Sequence, residues 1–112
     1  MKLIVSGIHI KNDPDIEAYA KQKAQKLSKF YPNIEEIAVR LISENSHRGQ
    51  ESDFYCEITV HIPGRVLEIV DTEREMDKAI DKAVERMKRL IVKDKEKKIS
   101  KNHKAAIAKK NR

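Results

Sequence analysis

Residues 72–99, TEREMDKAIDKAVERMKRLIVKDKEKKI, hold the pattern that the rest of the chain must accommodate. Met76, Ile80, Ala83, Val84, Met87 and Ile91 recur at helical spacing and form an apolar stripe. Lys82, Arg86, Arg89 and Lys93 recur at i, i+4, i+7 and i+11, almost opposite it and within an arc of about 60°. One side of this helix has to be buried against the remainder of the chain, while the other presents a row of cations.

Upstream segments supply the surface that buries it. Leu3–Ile10 is apolar and β-branched with Gly7 inside, a first strand whose near-continuous hydrophobicity implies a central place in a sheet. Asn12-Asp13-Pro14-Asp15 is a helix start: Asp13 can cap, Pro14 takes the first helical position, and Asp15 and Glu17 suit the dipole. The first helix is expected over residues 14–31, with Ile16, Ala20, Ala24, Leu27 and Tyr31 inward and Lys23, Lys26 and Lys29 along a flank. Residues 34–44 alternate at Ile37, Val39 and Leu41; residues 45–52 are a polar turn. Residues 53–62 give the cleanest strand, with Phe54, Cys56, Ile58, Val60 and Ile62 on one face and Tyr55, Glu57, Thr59 and His61 on the other. Pro63-Gly64 turns the chain into a fourth strand, residues 65–70. The order β-α-β-β-β-α, with short links between the last three strands, predicts an α+β two-layer sandwich. A four-stranded sheet carries both helices on one face.

Length and charge bound the partner. At 112 residues the chain makes one domain able to bury about two-thirds of its unfolded surface. Residues 1–70 hold nine Lys/Arg against ten Asp/Glu, whereas residues 71–112 hold fifteen against eight. Within residues 86–112 the balance is twelve against two. Such asymmetry points to a polyanion. One cysteine, Cys56, excludes an internal disulfide and suits a reducing compartment. No apolar run nears the roughly 20 residues of a membrane span, and the N-terminus lacks the form of a signal peptide, so a cytoplasmic protein is expected. Residues 1–98 are read as the folded domain and residues 99–112 as a basic, flexible tail.

Two segments resemble the ribosome hibernation promoting factor family, also called ribosome-associated inhibitors. The first is SGIHIKNDPDIEAYAKQKAQKLSKFYPNI, where Gly7, Tyr19, Lys23, Lys26, Leu27, Lys29 and Tyr31 fit the family pattern without a gap. The second is ITVHIPGRVLEIV followed by EREMDKAIDKAVERMKRL, with Met76 and Ala79-Ile80-Asp81 in place. The chain departs from the pattern at Ile8, Asp77 and Val92, and Asp94 falls among the cations. The resemblance implies a fold similar to double-stranded-RNA-binding domains and a binding place in the tRNA and mRNA channel of the small ribosomal subunit. There, contact with 16S rRNA near the decoding site would keep the intact ribosome idle in starvation or stationary phase. It also implies a short form, without the dimerisation domain of longer members, and monomeric off the ribosome.

The RNA-binding residues expected on these grounds are Lys23, Lys26, Lys29, Lys82, Arg86, Arg89 and Lys93, with Arg48, Lys88 and Lys95 secondary. The four cations of the long helix have no acid within their own arc, so repulsion among them is left for an external polyanion to relieve. Arg40, His47, Tyr55 and His61 are weaker candidates on the sheet and its loop. Nothing supports catalysis: the chain has three glycines and no nucleophile elbow or phosphate loop. No cofactor, small-molecule substrate or metal is expected, because no His/Cys pair has ligand spacing; Cys56 and His61 point to opposite faces of one strand. The alternatives are a general double-stranded-RNA-binding or RNA-chaperone module, and a membrane-surface or protein-interaction module. The membrane is disfavoured because the outer helix face lacks Trp, Phe and Leu anchors.

Overall fold

A computed structural model describes residues 1–8, 13–45 and 52–110, with side chains of the last helix described through Glu96. The elements run β1 (Lys2–Ile8), α1 (Pro14–Gln25), a 3-10 turn (Lys26–Lys29), β2 (Glu36–Asn45), β3 (Ser52–Ile62), β4 (Arg65–Glu73) and α2 (Met76–Lys110). The four strands form one sheet in the order β1-β2-β3-β4. β1 pairs parallel with β2, and β2–β3 and β3–β4 are antiparallel. The expected α+β sandwich is therefore the observed one: α1 packs on β1 and β2, α2 on β3 and β4, and the helices touch each other.

Local chemistry explains the boundaries. Asp13 caps α1, its Oδ1 accepting from the backbone N–H groups of Asp15 at 3.1 Å and Ile16 at 3.3 Å, with Pro14 in the first turn. The helix does not run regularly to Tyr31. It tightens into a 3-10 turn at Lys26, where the Ser28 hydroxyl donates to the Gln25 carbonyl at 2.8 Å and Pro32 disfavours helix at the residue before it. Gly64, at φ +86°, supplies the left-handed residue of the β3–β4 turn.

The core lies between sheet and helices. Ile37, Val39 and Leu41 of β2 and Cys56, Ile58 and Val60 of β3 meet Leu27, Ile80, Met87 and Ile91, all essentially inaccessible to solvent. The alternation read in β3 holds, with Tyr55, Glu57, Thr59 and His61 on the face opposite α1 and α2.

Three expectations are corrected. β1 is an edge strand, paired with β2 alone, and Gly7 sits in regular register opposite Leu41. Its hydrophobicity reflects contact with α1 on one side, Leu3 and Val5 being half-buried, while Ile4 on the other side is exposed. β4 continues three residues past Val70, because Asp71, Thr72 and Glu73 still pair with Cys56, Tyr55 and Phe54. α2 accordingly starts at Met76, and its helical backbone continues past Ile99 to Lys110. The alanines at 105, 106 and 108 favour that continuation.

Candidate nucleic-acid interface

α2 is bordered by two seams, and its cations divide between them. On the α1 side, the Tyr19 hydroxyl donates to Asp81 Oδ1 and Lys23 Nζ lies 3.8 Å from the same oxygen. The hydrogen bond to Asp81, followed by burial and the negative charge of Asp81, holds the Tyr19 phenol up at about 12. Lys23 sits over the Tyr19 ring at 5.5 Å and Lys88 over the Phe30 ring at 5.2 Å. Between the helices runs a groove of about 420 Å³ with Leu27, Phe30 and Val84 as its apolar part and Lys23, Lys26 and Lys88 around it, beside Asp81 and Glu85. Lys29, carried round by the 3-10 turn, is exposed and does not line the groove. Lys95, seven residues beyond Lys88, continues that side of α2 and is exposed.

On the β4 side, three ion pairs stitch helix to strand. Lys82 reaches Glu73 at 3.5 Å, Arg86 reaches Asp71 at 2.5 Å, and Arg65 of β4 pairs with Asp94. Asp71 and Asp94 are 5% exposed, yet their partners Arg86 and Arg65 are about half in solvent. Arg89 pairs with Glu85 one turn before it at 3.6 Å and is 76% exposed. Lys88, Arg89 and Lys93 share a shallow hollow along α2 with Glu85, Val92 and Glu96.

Nine of the ten expected cations, all but Arg48, thus belong to one helical layer, but not to one uninterrupted plate. Lys23, Lys26 and Lys88 flank α2 on one side and Lys82 and Arg86 on the other, with Arg89, Lys93 and Glu85 along the outer ridge. The absence of acids from the arc is true of α2 alone. Asp71 and Glu73, which in sequence look like dipole-compensating acids at a helix start, are strand residues that pair with that arc. Asp94 does not interrupt the row of cations either; it points inward and closes the end of the core with Arg65. Among the described residues no acid pairs with Lys26, Lys29, Lys88 or Lys93.

The remaining candidates lie elsewhere. Arg40 and His61 are on the sheet face opposite the helices with acid partners, Glu57 and Glu36, each at 3.4 Å. Tyr55 is half-buried on that same face. His47 and Arg48 fall outside the described residues. Cys56 is fully buried; burial first, then the charges of Asp71 and Glu57, push its thiol up to about 12, which makes it an inert core group. Among the described residues no helix is long and apolar enough to cross a membrane.

Residues 3–99 match the family described as Sigma 54 modulation protein / S30EA ribosomal protein. A ribosomal subunit interface protein from Coxiella burnetii superposes with a TM-score of 0.72 at 16% identity, covering 85% of this chain and 98% of its own. The Protein Y N-terminal domain from Thermus thermophilus does so with a TM-score of 0.65 at 19% identity, covering 83% and 98%. At such identities the likeness is one of fold. No curated protein matches the sequence.

Proposed function

The chain belongs to the Sigma 54 modulation protein / S30EA ribosomal protein family, whose members are ribosome-associated modulation factors, and from that premise we propose that it is a cytoplasmic inhibitor of translation. It occupies the tRNA and mRNA channel of the small subunit near the decoding site, against 16S rRNA, and keeps ribosomes idle when growth stops. The observation that carries this reading is a joint one: the family match spans the whole sandwich, and the cations of that sandwich gather on its helical layer.

The physical logic is occlusion without chemistry. α1 and α2 are held to the sheet by Leu27, Ile80, Met87 and Ile91, so the spacing of the cations above them is set by the core. Lysines without acid partners offer point charges to phosphates, and Arg86 and Arg89 offer planar forks. Phosphate contacts position a protein but carry little sequence information, so selectivity comes from the fit of a rigid layer to a folded RNA surface. If about six phosphates are neutralised, log K falls with log salt at a slope of roughly −4 to −5.

The test is sedimentation of the pure protein with isolated small subunits on sucrose gradients, with tRNA as competitor, beside a translation assay. Co-sedimentation that bound tRNA abolishes, with translation falling in parallel, is the expected result. Equal affinity for any long RNA duplex would instead make the protein a general double-stranded-RNA binder. Indifference of small subunits at modest ionic strength would overturn the proposal.

A further inference from the structure

We infer that Asp71, a strand residue outside the row of cations, is a positioning residue for RNA binding: it holds one side of the Arg86 guanidinium so that the rest faces outward from the edge of the helical layer. This rests on the ribosome-binding reading above and deepens it.

The inward positions of β4 are Leu67, Ile69 and Asp71, so a carboxylate stands where the pattern calls for a third apolar side chain. Its cross-strand neighbour is the buried Cys56. Burying a carboxylate is unfavourable unless a cation and hydrogen bonds compensate it. Here the compensation is partial: Arg86 Nη1 donates to Oδ1 at 2.5 Å, while Oδ2 is buried without a hydrogen-bond partner among the described residues. A leucine would fill the place with no such penalty, so stability alone does not account for the acid.

Arg86 reaches this acid from the surface. Its side chain is 49% exposed although it ends on a carboxylate that is 4% exposed, so the guanidinium straddles the surface. Its hydrogen bonds, to Asp71 and to the Val70 carbonyl at 3.5 Å, both leave from Nη1. An arginine carries five N–H donors in a rigid fork, and anchoring one side of the fork orients the other. Long side chains lose rotamer freedom when they bind, and one already held by a buried acid loses less.

Removing a negative charge beside an RNA-binding surface should tighten RNA binding if that charge merely competes with phosphate. If Asp71 positions Arg86, removal weakens it. Asp71→Leu, which restores the apolar pattern of β4, is expected to melt no lower than the parent protein and to bind purified small subunits roughly three- to tenfold more weakly. Asp71→Asn, which keeps the shape, serves if the leucine variant does not fold, and should move affinity in the same direction. In an Arg86→Gln background neither change should alter affinity further. In the free protein, NMR should show the Arg86 side-chain N–H exchanging slowly with water, and faster once Asp71 is replaced. Binding by both variants as tight as, or tighter than, the parent would overturn the inference, as would fast exchange in the parent. Failure of the parent itself to bind small subunits would instead remove the ribosome-binding reading on which it stands.

Discussion

The two flanks of α2 solve the same problem differently. Toward α1 the helix is tied by exposed or half-exposed groups: Tyr19 with Asp81, Lys23 with Asp81, and Lys88 over Phe30, around an open groove. Toward β4 it is tied by carboxylates sunk into the protein, Asp71 and Asp94, each reached by an arginine from the surface. Exposed ties contribute little and can rearrange. Buried carboxylates cannot lose their partners cheaply, so they fix where those arginines go. One flank of the cationic layer is adaptable and the other is set.

Met87 lies on the face between the flanks, fully buried, and is the place to disturb both at once. Met87→Ala should cost about 2–5 kcal/mol of stability, measured by urea unfolding. A loss near zero would mean that the core does not hold α2 as described. Charge reversal separates the outer ridge of α2 from its groove side. Arg89→Glu with Lys93→Glu, both exposed, should leave unfolding within about 0.5 kcal/mol of the parent but weaken small-subunit binding roughly a hundredfold. Lys23→Glu with Lys26→Glu should weaken it less if the groove side is the adaptable one, and an equal loss would erase the distinction. Arg86→Glu is a poorer probe, because it sets a second carboxylate against buried Asp71 and destabilises the fold as well.

The smallest effect concerns the groove side alone. Tyr19→Phe should cost about 0.5–1.5 kcal/mol, the worth of one hydrogen bond. The phenol is held up at about 12 in the folded protein, so its contribution is fully present below its ordinary value near 10. It should be lost as pH rises from about 10 to about 12, so the difference in thermal melts between the parent and the Tyr19→Phe variant shrinks over that window. A constant difference across that range would mean that the hydroxyl does not bind Asp81.

Much of this was legible in the chain because its signals are local. The alternation of residues 53–62 needs only the two-residue period of a strand, and the Asp13-Pro14 start needs only the free N–H groups of a first turn. The apolar stripe from Met76 to Ile91 likewise identified the buried side of α2 without reference to anything else. Asp71 and Glu73 were illegible by the same logic. Acids just before a helix look like dipole compensation, and only the pairing of β4 with β3 shows them to be strand residues. Hydrophobicity misplaced β1 for a related reason: apolar side chains show that a strand is covered, not how many neighbours its backbone has.

By itself the sequence determined the order of elements, the faces that must be buried, and the presence of a cationic row on α2, since each depends on spacing along one segment. Only the tertiary structure decided which acids meet those cations and on which flank each lies. Ion pairs between Arg86 and Asp71, or Tyr19 bonded to Asp81, join elements whose separation in space no periodicity encodes. Chain geometry sets what a helix shows, but the sheet register sets what it faces.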